Sequence, residues 1–121
     1  MSPRERALRS MFEHQAMRHG GLVLYEPAIA LEFIEACRQT RIAISGIEGF
    51  ELVGGERVMP RMDLILDLSS LFQNHESDLV EVAAVEARSF LAACLGSAAA
   101  TIPDGRIMWD FTVRDLEEPD K

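Results

Sequence analysis

Residues 42–70 constrain the fold more than any other stretch, because two runs of alternating apolar and polar side chains meet there at a glycine pair. Alternation with a period of two predicts β-strands that bury one face. Gly54 and Gly55 tolerate the positive φ angles that a tight turn between antiparallel strands requires. The stretch therefore predicts a β-hairpin whose first strand covers residues 42–53.

Pro60 disturbs the second strand of this hairpin. Proline has no N–H to donate to a neighbouring strand, so it is confined to sheet edges and bulges. From Val58 to Leu68 the apolar residues alternate as in a half-buried strand, but a short helix over residues 62–72 fits the same residues. Both interpretations stay open at this point.

Two further glycines, Gly46 and Gly49, lie inside the first strand, where glycine marks a bulge, a bend or a close approach of backbones. Without a bulge, Glu48 shares a face with Ile44 and Phe50 and points into the core. One bulge turns Glu48 outward. The sequence allows either arrangement.

Helical segments precede and follow the hairpin. Ser2 and Pro3 suit the start of a first helix, which residues 19–21 are expected to end. Pro27 begins a second helix that is apolar around most of its circumference, and a third helix is predicted to reach about Leu95.

Two segments outside the hairpin have strand character. Residues 22–25 are apolar and bounded by glycine, which indicates a brief extended piece. Residues 106–114 alternate strictly and predict a strand whose Trp109 side faces the helices. Met108 lies in the opposite phase, so we expect another strand or a second subunit to cover it.

Together these elements predict a single α+β domain over residues 1–121: a small antiparallel sheet of three to four strands, two main helices packed on one face, and an N-terminal helix. A chain of 121 residues is near the usual domain size and needs no disulfide or metal for stability. Cys37 and Cys94 fall among apolar helical residues, so we expect buried thiols. Residues 115–121 are expected to be a frayed acidic tail.

The charge balance narrows the classes of partner. There are 20 acidic and 12 basic side chains, for a net charge of −8. Such a charge repels phosphate backbones and anionic lipids, so nucleic-acid and membrane partners are disfavoured, and it attracts a basic protein. No signal peptide and no run of about 18 apolar residues is evident, so a cytoplasmic location is expected.

No motif for a cofactor, a metal or a nucleophile is recognisable. The glycines do not join a strand to a helix as in phosphate loops, and the three histidines lie in separate segments. Carboxylates on facing strands can lie close together and attract a basic group, although Arg57 and Arg61 on the same hairpin can neutralise them. The candidate binding residues are Glu48, Glu51, Asp63, Asp67 and Asp110.

Three functional hypotheses follow, and the lack of a catalytic motif favours those without enzymatic activity. The first is a small acidic protein that docks a basic macromolecular partner, with an immunity-type inhibitor of a bacterial toxin as an example by analogy of size and charge. The second is a ligand-binding domain or enzyme that uses a carboxylate cluster around Glu48, which requires a buried carboxylate in a concave pocket. The third is a structural homo-oligomer, such as a homodimer.

Overall fold

The computed structural model describes residues 1–53, 57–73, 78–95 and 105–116. The helices and strands in chain order are α1 (Pro3–Ser10), β1 (Met17–His19), β2 (Leu22–Leu24), α2 (Pro27–Thr40), β3 (Ala43–Val53), β4 (Arg57–Asp67), α3 (Leu79–Leu95) and β5 (Gly105–Arg114). Short 3-10 turns cover Glu13–Gln15 and Ser69–Gln73. The predicted α+β class is confirmed.

The central strand is β3, which pairs with β4 on one side and β5 on the other, both antiparallel. Strands β1 and β2 form a separate two-stranded hairpin. Tyr25, directly after β2, joins the two sheets, because it exchanges two backbone hydrogen bonds of 2.9 and 2.8 Å with Trp109 of β5. The hairpin predicted for residues 42–70 is therefore β3–β4, and its expected turn, Gly54-Gly55, lies outside the described residues.

The strand interpretation of residues 57–67 is confirmed, and only residues 69–73 form a helical turn. Pro60 is opposite Phe50 on a strand that has no second neighbour among the described residues, so its missing N–H interrupts no ladder there. Beyond Pro60 the register shifts. Gly49 pairs with Arg61 but Glu48 pairs with Ile65, so residues 62–64 form a bulge.

The first helix is shorter than predicted. Ser2 caps it as expected, since its hydroxyl accepts the Glu5 N–H at 3.0 Å, but the helix ends at Ser10. Residues 17–19 form β1 instead, and Gly20, with φ of 59°, and Gly21 form the turn to β2. A glycine pair serves equally well after a helix and in a two-residue hairpin turn, so the local sequence does not distinguish them.

One face of the three-stranded sheet is covered by α2 and α3. Trp109 is fully buried there and packs edge to face against Phe90 of α3, which confirms the predicted orientation of β5. Cys37 and Cys94 are both buried in this layer, and burial raises the pKa of the Cys37 thiol to about 12. The main sheet residues of this core are Ile42, Ile44, Ile47, Leu64, Ile107, Trp109 and Phe111.

The opposite face carries a second, smaller apolar cluster. Phe50, Leu52 and Met108 are buried there beneath Leu24 of β2. The β1–β2 hairpin thus covers Met108, and the cover comes from this chain rather than from a second subunit. The sequence pattern had placed Ile44 and Phe50 on the same face, and the structure separates them.

A bulge at Ser45 explains this separation. Ile44 pairs with Val113 and Gly46 with Thr112, so Ser45 is an extra residue in β3. One extra residue reverses the phase of everything that follows it. Phe50 therefore points away from the helices that cover Ile44.

The N-terminal helix is attached to the far end of the sheet. Arg9 donates a hydrogen bond to the carbonyl of Phe111 at 2.9 Å. Phe111 lies two residues beyond Trp109, the residue of β5 that pairs with Tyr25. Asp115 accepts hydrogen bonds from the Ser2 hydroxyl at 2.8 Å and from Arg4 at 2.6 Å. Asp115 is the first residue of the tail expected at 115–121, of which 117–121 lie outside the described residues.

Candidate functional site

The sheet face opposite the helices carries three of the predicted acidic residues: Glu48 and Asp67 are exposed, and Asp110 is half-buried beside the β1–β2 hairpin. Because of the Ser45 bulge, Glu48 points to this side and is exposed. Asp110 of β5 lies directly opposite it on one neighbouring strand, and Ile65 of β4 on the other. We call this surface the open face; its residues are Gly46, Glu48, Ile65, Asp67, Asp110 and Thr112.

Glu48 and Asp110 form a like-charge pair across two strands. Residues directly opposite on antiparallel strands have Cβ atoms about 4.5–5.5 Å apart, and like charges at that spacing destabilise the sheet. Burial raises the pKa of the half-buried Asp110 carboxyl; Arg9 lowers it and Glu48 raises it further. Neither carboxylate forms an ion pair with another described residue.

Asp67 adds a third negative charge to the open face. It lies opposite Gly46, one diagonal step from Glu48, or roughly 7–8 Å. Its carboxylate accepts the Ser69 N–H at 2.9 Å, and hydrogen bonding by Ser69 lowers the pKa of Asp67. Asp67 is therefore held in its charged form.

The other two predicted residues, Glu51 and Asp63, lie around Arg61. The guanidinium of Arg61 is 2.8 Å from Asp63 and 3.3 Å from Glu51, and its hydrogen bond lowers the pKa of Asp63. Glu51 also has the opposite strand phase from Glu48 and so points to the other side of the sheet. The structure brings together three of the five predicted acids and neutralises the other two.

A shallow groove of about 280 Å³ runs over Gly46. A Cβ at Gly46 would lie 3.4 Å from the Leu66 carbonyl oxygen and 3.9 Å from the Thr112 Cβ, so the missing side chain keeps the floor of the groove open. The walls include Glu48, Ile65, Asp67 and Thr112.

A second depression of about 420 Å³ shares Ser45, Ser69 and Thr112 with this groove. It extends to Arg114, whose guanidinium lies 4.9 Å from the centre of the Phe72 ring. The groove is thus acidic at Glu48 and Asp67, and the adjoining depression is basic at Arg114.

Strand β4 carries three exposed apolar side chains, of which Ile65 lies on the open face and Met59, opposite Glu51, points to the other side of the sheet. Met59, Met62 and Ile65 are 46%, 76% and 40% exposed. The alternating pattern had assigned Met62 to the core, but it falls in the bulge of residues 62–64 and points outward. Ile65 was not among the predicted site residues, and only its pairing with Glu48 across the shifted register reveals its place.

The structure does not give Glu48 the burial that the acid–base hypothesis requires, since Glu48 is exposed. In the described ranges, no three His, Cys, Asp or Glu side chains converge closely enough to hold a metal ion. None of the described helices is both long and apolar enough to cross a membrane.

No protein family, curated protein or solved structure matches this chain. The geometry of the open face is therefore the basis for assigning a function.

Proposed function

We propose that the chain is a protein-binding module whose open face docks a basic, partly apolar segment of a partner protein. The observation that carries this proposal is the directly opposed pair Glu48 and Asp110, which forms no salt bridge with the described residues and in which only Asp110 feels a nearby cation, Arg9. Such a pair costs stability in the isolated protein. A guanidinium or ammonium group bound between the two carboxylates removes this cost and forms charge-assisted hydrogen bonds with both.

Apolar contact with the partner is available beside the charges. Ile65 is opposite Glu48, and Met62 is largely exposed nearby on the bulge. Methionine adapts its shape to a partner surface, and burial of such side chains supplies affinity that exposed charges alone do not. The groove over Gly46 receives an extended segment that presents basic and apolar side chains.

Charge favours a basic partner over a second copy of this chain. Two copies that met through their open faces would bring together two sets of Glu48, Asp67 and Asp110, and like charges repel. The net charge of −8 also steers positively charged partners during diffusion. An immunity-type inhibitor of a basic bacterial toxin belongs to this class of module, and the small size and acidity of the chain are what favour it.

The test compares two double variants with the same change in net charge. Glu48→Gln/Asp110→Asn removes the charges of the open face, whereas Glu51→Gln/Asp63→Asn removes those already neutralised by Arg61. The probe is a fluorescent peptide of about eight alternating lysine and leucine residues, long enough to span the groove in extended form. We expect the open-face variant to bind about tenfold more weakly and the control to change by less than about twofold.

Fluorescence anisotropy at low and at roughly physiological ionic strength measures these affinities. Equal losses in the two double variants would show that the peptide responds only to net charge, and the open face would not be the docking site. Sedimentation adds an independent check: a dimer at micromolar concentration that Ile65→Lys dissociates would assign this face to a second copy.

A further inference from the structure

A second cavity, of about 240 Å³, lies between the N-terminal segment, the β1–β2 hairpin and β5. It is separate from the groove over Gly46, and none of its lining residues lines that groove. The residues relevant to its chemistry are Arg9, Glu13, Arg18, Val23, Tyr25 and Asp110.

One part of the cavity wall has hydrogen-bonding capacity that the protein leaves unused. Tyr25 is fully buried, and its hydroxyl accepts a hydrogen bond from Arg9 Nη1 at 3.4 Å. Because the whole Tyr25 residue is buried, this hydroxyl positions Arg9 and is not open to a ligand. Arg9 is fixed by its bond to the Phe111 carbonyl and its position over the Phe33 ring, and its guanidinium has five N–H donors.

The charges around the cavity are balanced. Arg9 and Arg18 are positive and Glu13 and Asp110 are negative, and no salt bridge joins these two sets within the described part of the chain; the Arg9 Nε lies 3.9 Å from Glu5, which is not part of the cavity lining. A simple anion would meet two carboxylates and a simple cation would meet two guanidinium groups. A small zwitterion has a partner for each of its charges.

The volume of the cavity and the apolar part of its wall indicate which kind of zwitterion fits. Since a water molecule occupies about 30 Å³ of the liquid, the cavity corresponds to roughly eight waters, or a ligand of about eight to ten heavy atoms. Ala16 and Val23 provide apolar contact. A small apolar side chain next to two opposite charges is the chemistry of an aliphatic amino acid.

We propose that this cavity binds a free aliphatic amino acid, whose carboxylate is held by Arg9 and whose ammonium group is held by Asp110. The ligand bridges two charged groups that the fold keeps apart. The hydrogen bonds from Arg9 to the Tyr25 hydroxyl and the Phe111 carbonyl fix its guanidinium before the ligand arrives, which reduces the entropic cost of binding.

The experiment titrates the full chain with L-valine and L-leucine and follows backbone amide NMR shifts or calorimetric heat. Valinamide, which lacks the carboxylate, and N-acetylvaline, which lacks the ammonium group, are the matched ligands. We expect saturable binding of valine or leucine. Both derivatives are expected to bind at least about tenfold more weakly.

Variants of the cavity complete the test. Asp110→Asn is expected to weaken binding about tenfold and Tyr25→Phe several-fold, whereas Asp67→Asn on the open face leaves it unchanged. Absence of saturable binding by both amino acids would overturn the proposal, as would derivatives that bind as tightly as valine. If a thermal melt shows that Asp110→Asn does not fold, the two derivatives and Tyr25→Phe decide the outcome.

Discussion

Gly46 and Gly49 lie three residues apart on β3 and face opposite sides of the sheet. At Gly49 an added Cβ would lie 2.8 Å from the Leu64 Cβ and 3.0 Å from the Trp109 ring, so packing against the helix layer leaves no room for a side chain. At Gly46 the nearest atom would be 3.4 Å away, at the floor of an open groove.

The residues next to the two glycines also differ between the covered face and the open face. On the covered face, close packing alone determines which residue types are tolerated, because interiors have few voids. On the open face, stability does not require Glu48 opposite Asp110 and in fact disfavours it. This pair, which packing does not require and electrostatics opposes, is the reason for proposing that the open face docks a basic segment.

Substituting each glycine by alanine, in two separate variants, tests whether the two faces are packed differently. Gly49→Ala forces Leu64 or Trp109 to move, and we expect a loss of about 2 kcal/mol or more in the free energy of unfolding. Gly46→Ala meets only ordinary contacts and restricts the unfolded chain, so a change within about 0.5 kcal/mol is expected. Urea denaturation measures both, and comparable losses would show that the two faces are packed alike.

A smaller loss of folding stability is expected when Glu35, in the helix layer, is substituted. Its carboxylate contacts Arg38 and lies 2.7 Å from Arg88 of α3; the hydrogen bond from Arg38 is the main cause that lowers the pKa of Glu35 from 4.5 to about 2. A lowered pKa stabilises the fold above the ordinary value of 4.5, and this stabilisation disappears as the pH falls towards 2.

Glu35→Gln should therefore destabilise the protein at neutral pH, by less than Gly49→Ala because the side chain is about one-third exposed and solvent screens its charge. Denaturation midpoints of the variant and the natural chain should converge near pH 2. A pH-independent difference between them would mean that Glu35 acts through packing and not through its charge.

The smallest expected effect on folding stability comes from a substitution on the open face, and it is a gain and not a loss. Burial raises the pKa of Asp110, so its ionisation costs stability; this cost is absent below the ordinary value of 3.8 and develops as the pH rises through the folded-state value. Asp110→Asn should stabilise the chain at neutral pH by about 0.5 kcal/mol, the scale of one like-charge cross-strand pair.

A double-mutant cycle sharpens this prediction. If repulsion between Glu48 and Asp110 is the cause, Asp110→Asn should gain less stability in a Glu48→Gln background than in the natural chain. Equal gains in the two backgrounds would attribute the effect to burial of Asp110 alone and would remove the electrostatic argument for the open face.

Local patterns predicted much of this architecture. The alternation around Trp109 and the start of α2 at Pro27 agree with the structure. These features depend on spacing along the chain, since side-chain direction in a strand and in a helix follows directly from residue number.

Local sequence patterns predicted less about the candidate site. The sequence identified Glu48 as a residue whose direction depends on a bulge, but the place of that bulge, at Ser45, depends on how β3 pairs with β5. Likewise, Met62 is exposed and Ile65 is opposite Glu48 only because β4 bulges at residues 62–64. The glycines at 46 and 49 indicated that a bulge was possible, but strand pairing sets the position of each bulge.

The sequence by itself determined the elements, the acidic balance and the small set of carboxylates from which a binding surface could be built. Tertiary structure decided that Glu48, Asp67 and Asp110 share one face while Arg61 holds Glu51 and Asp63. The physical reason is that one extra residue in a strand reverses the direction of every following side chain, and strand pairing across the sheet selects where that residue is accommodated.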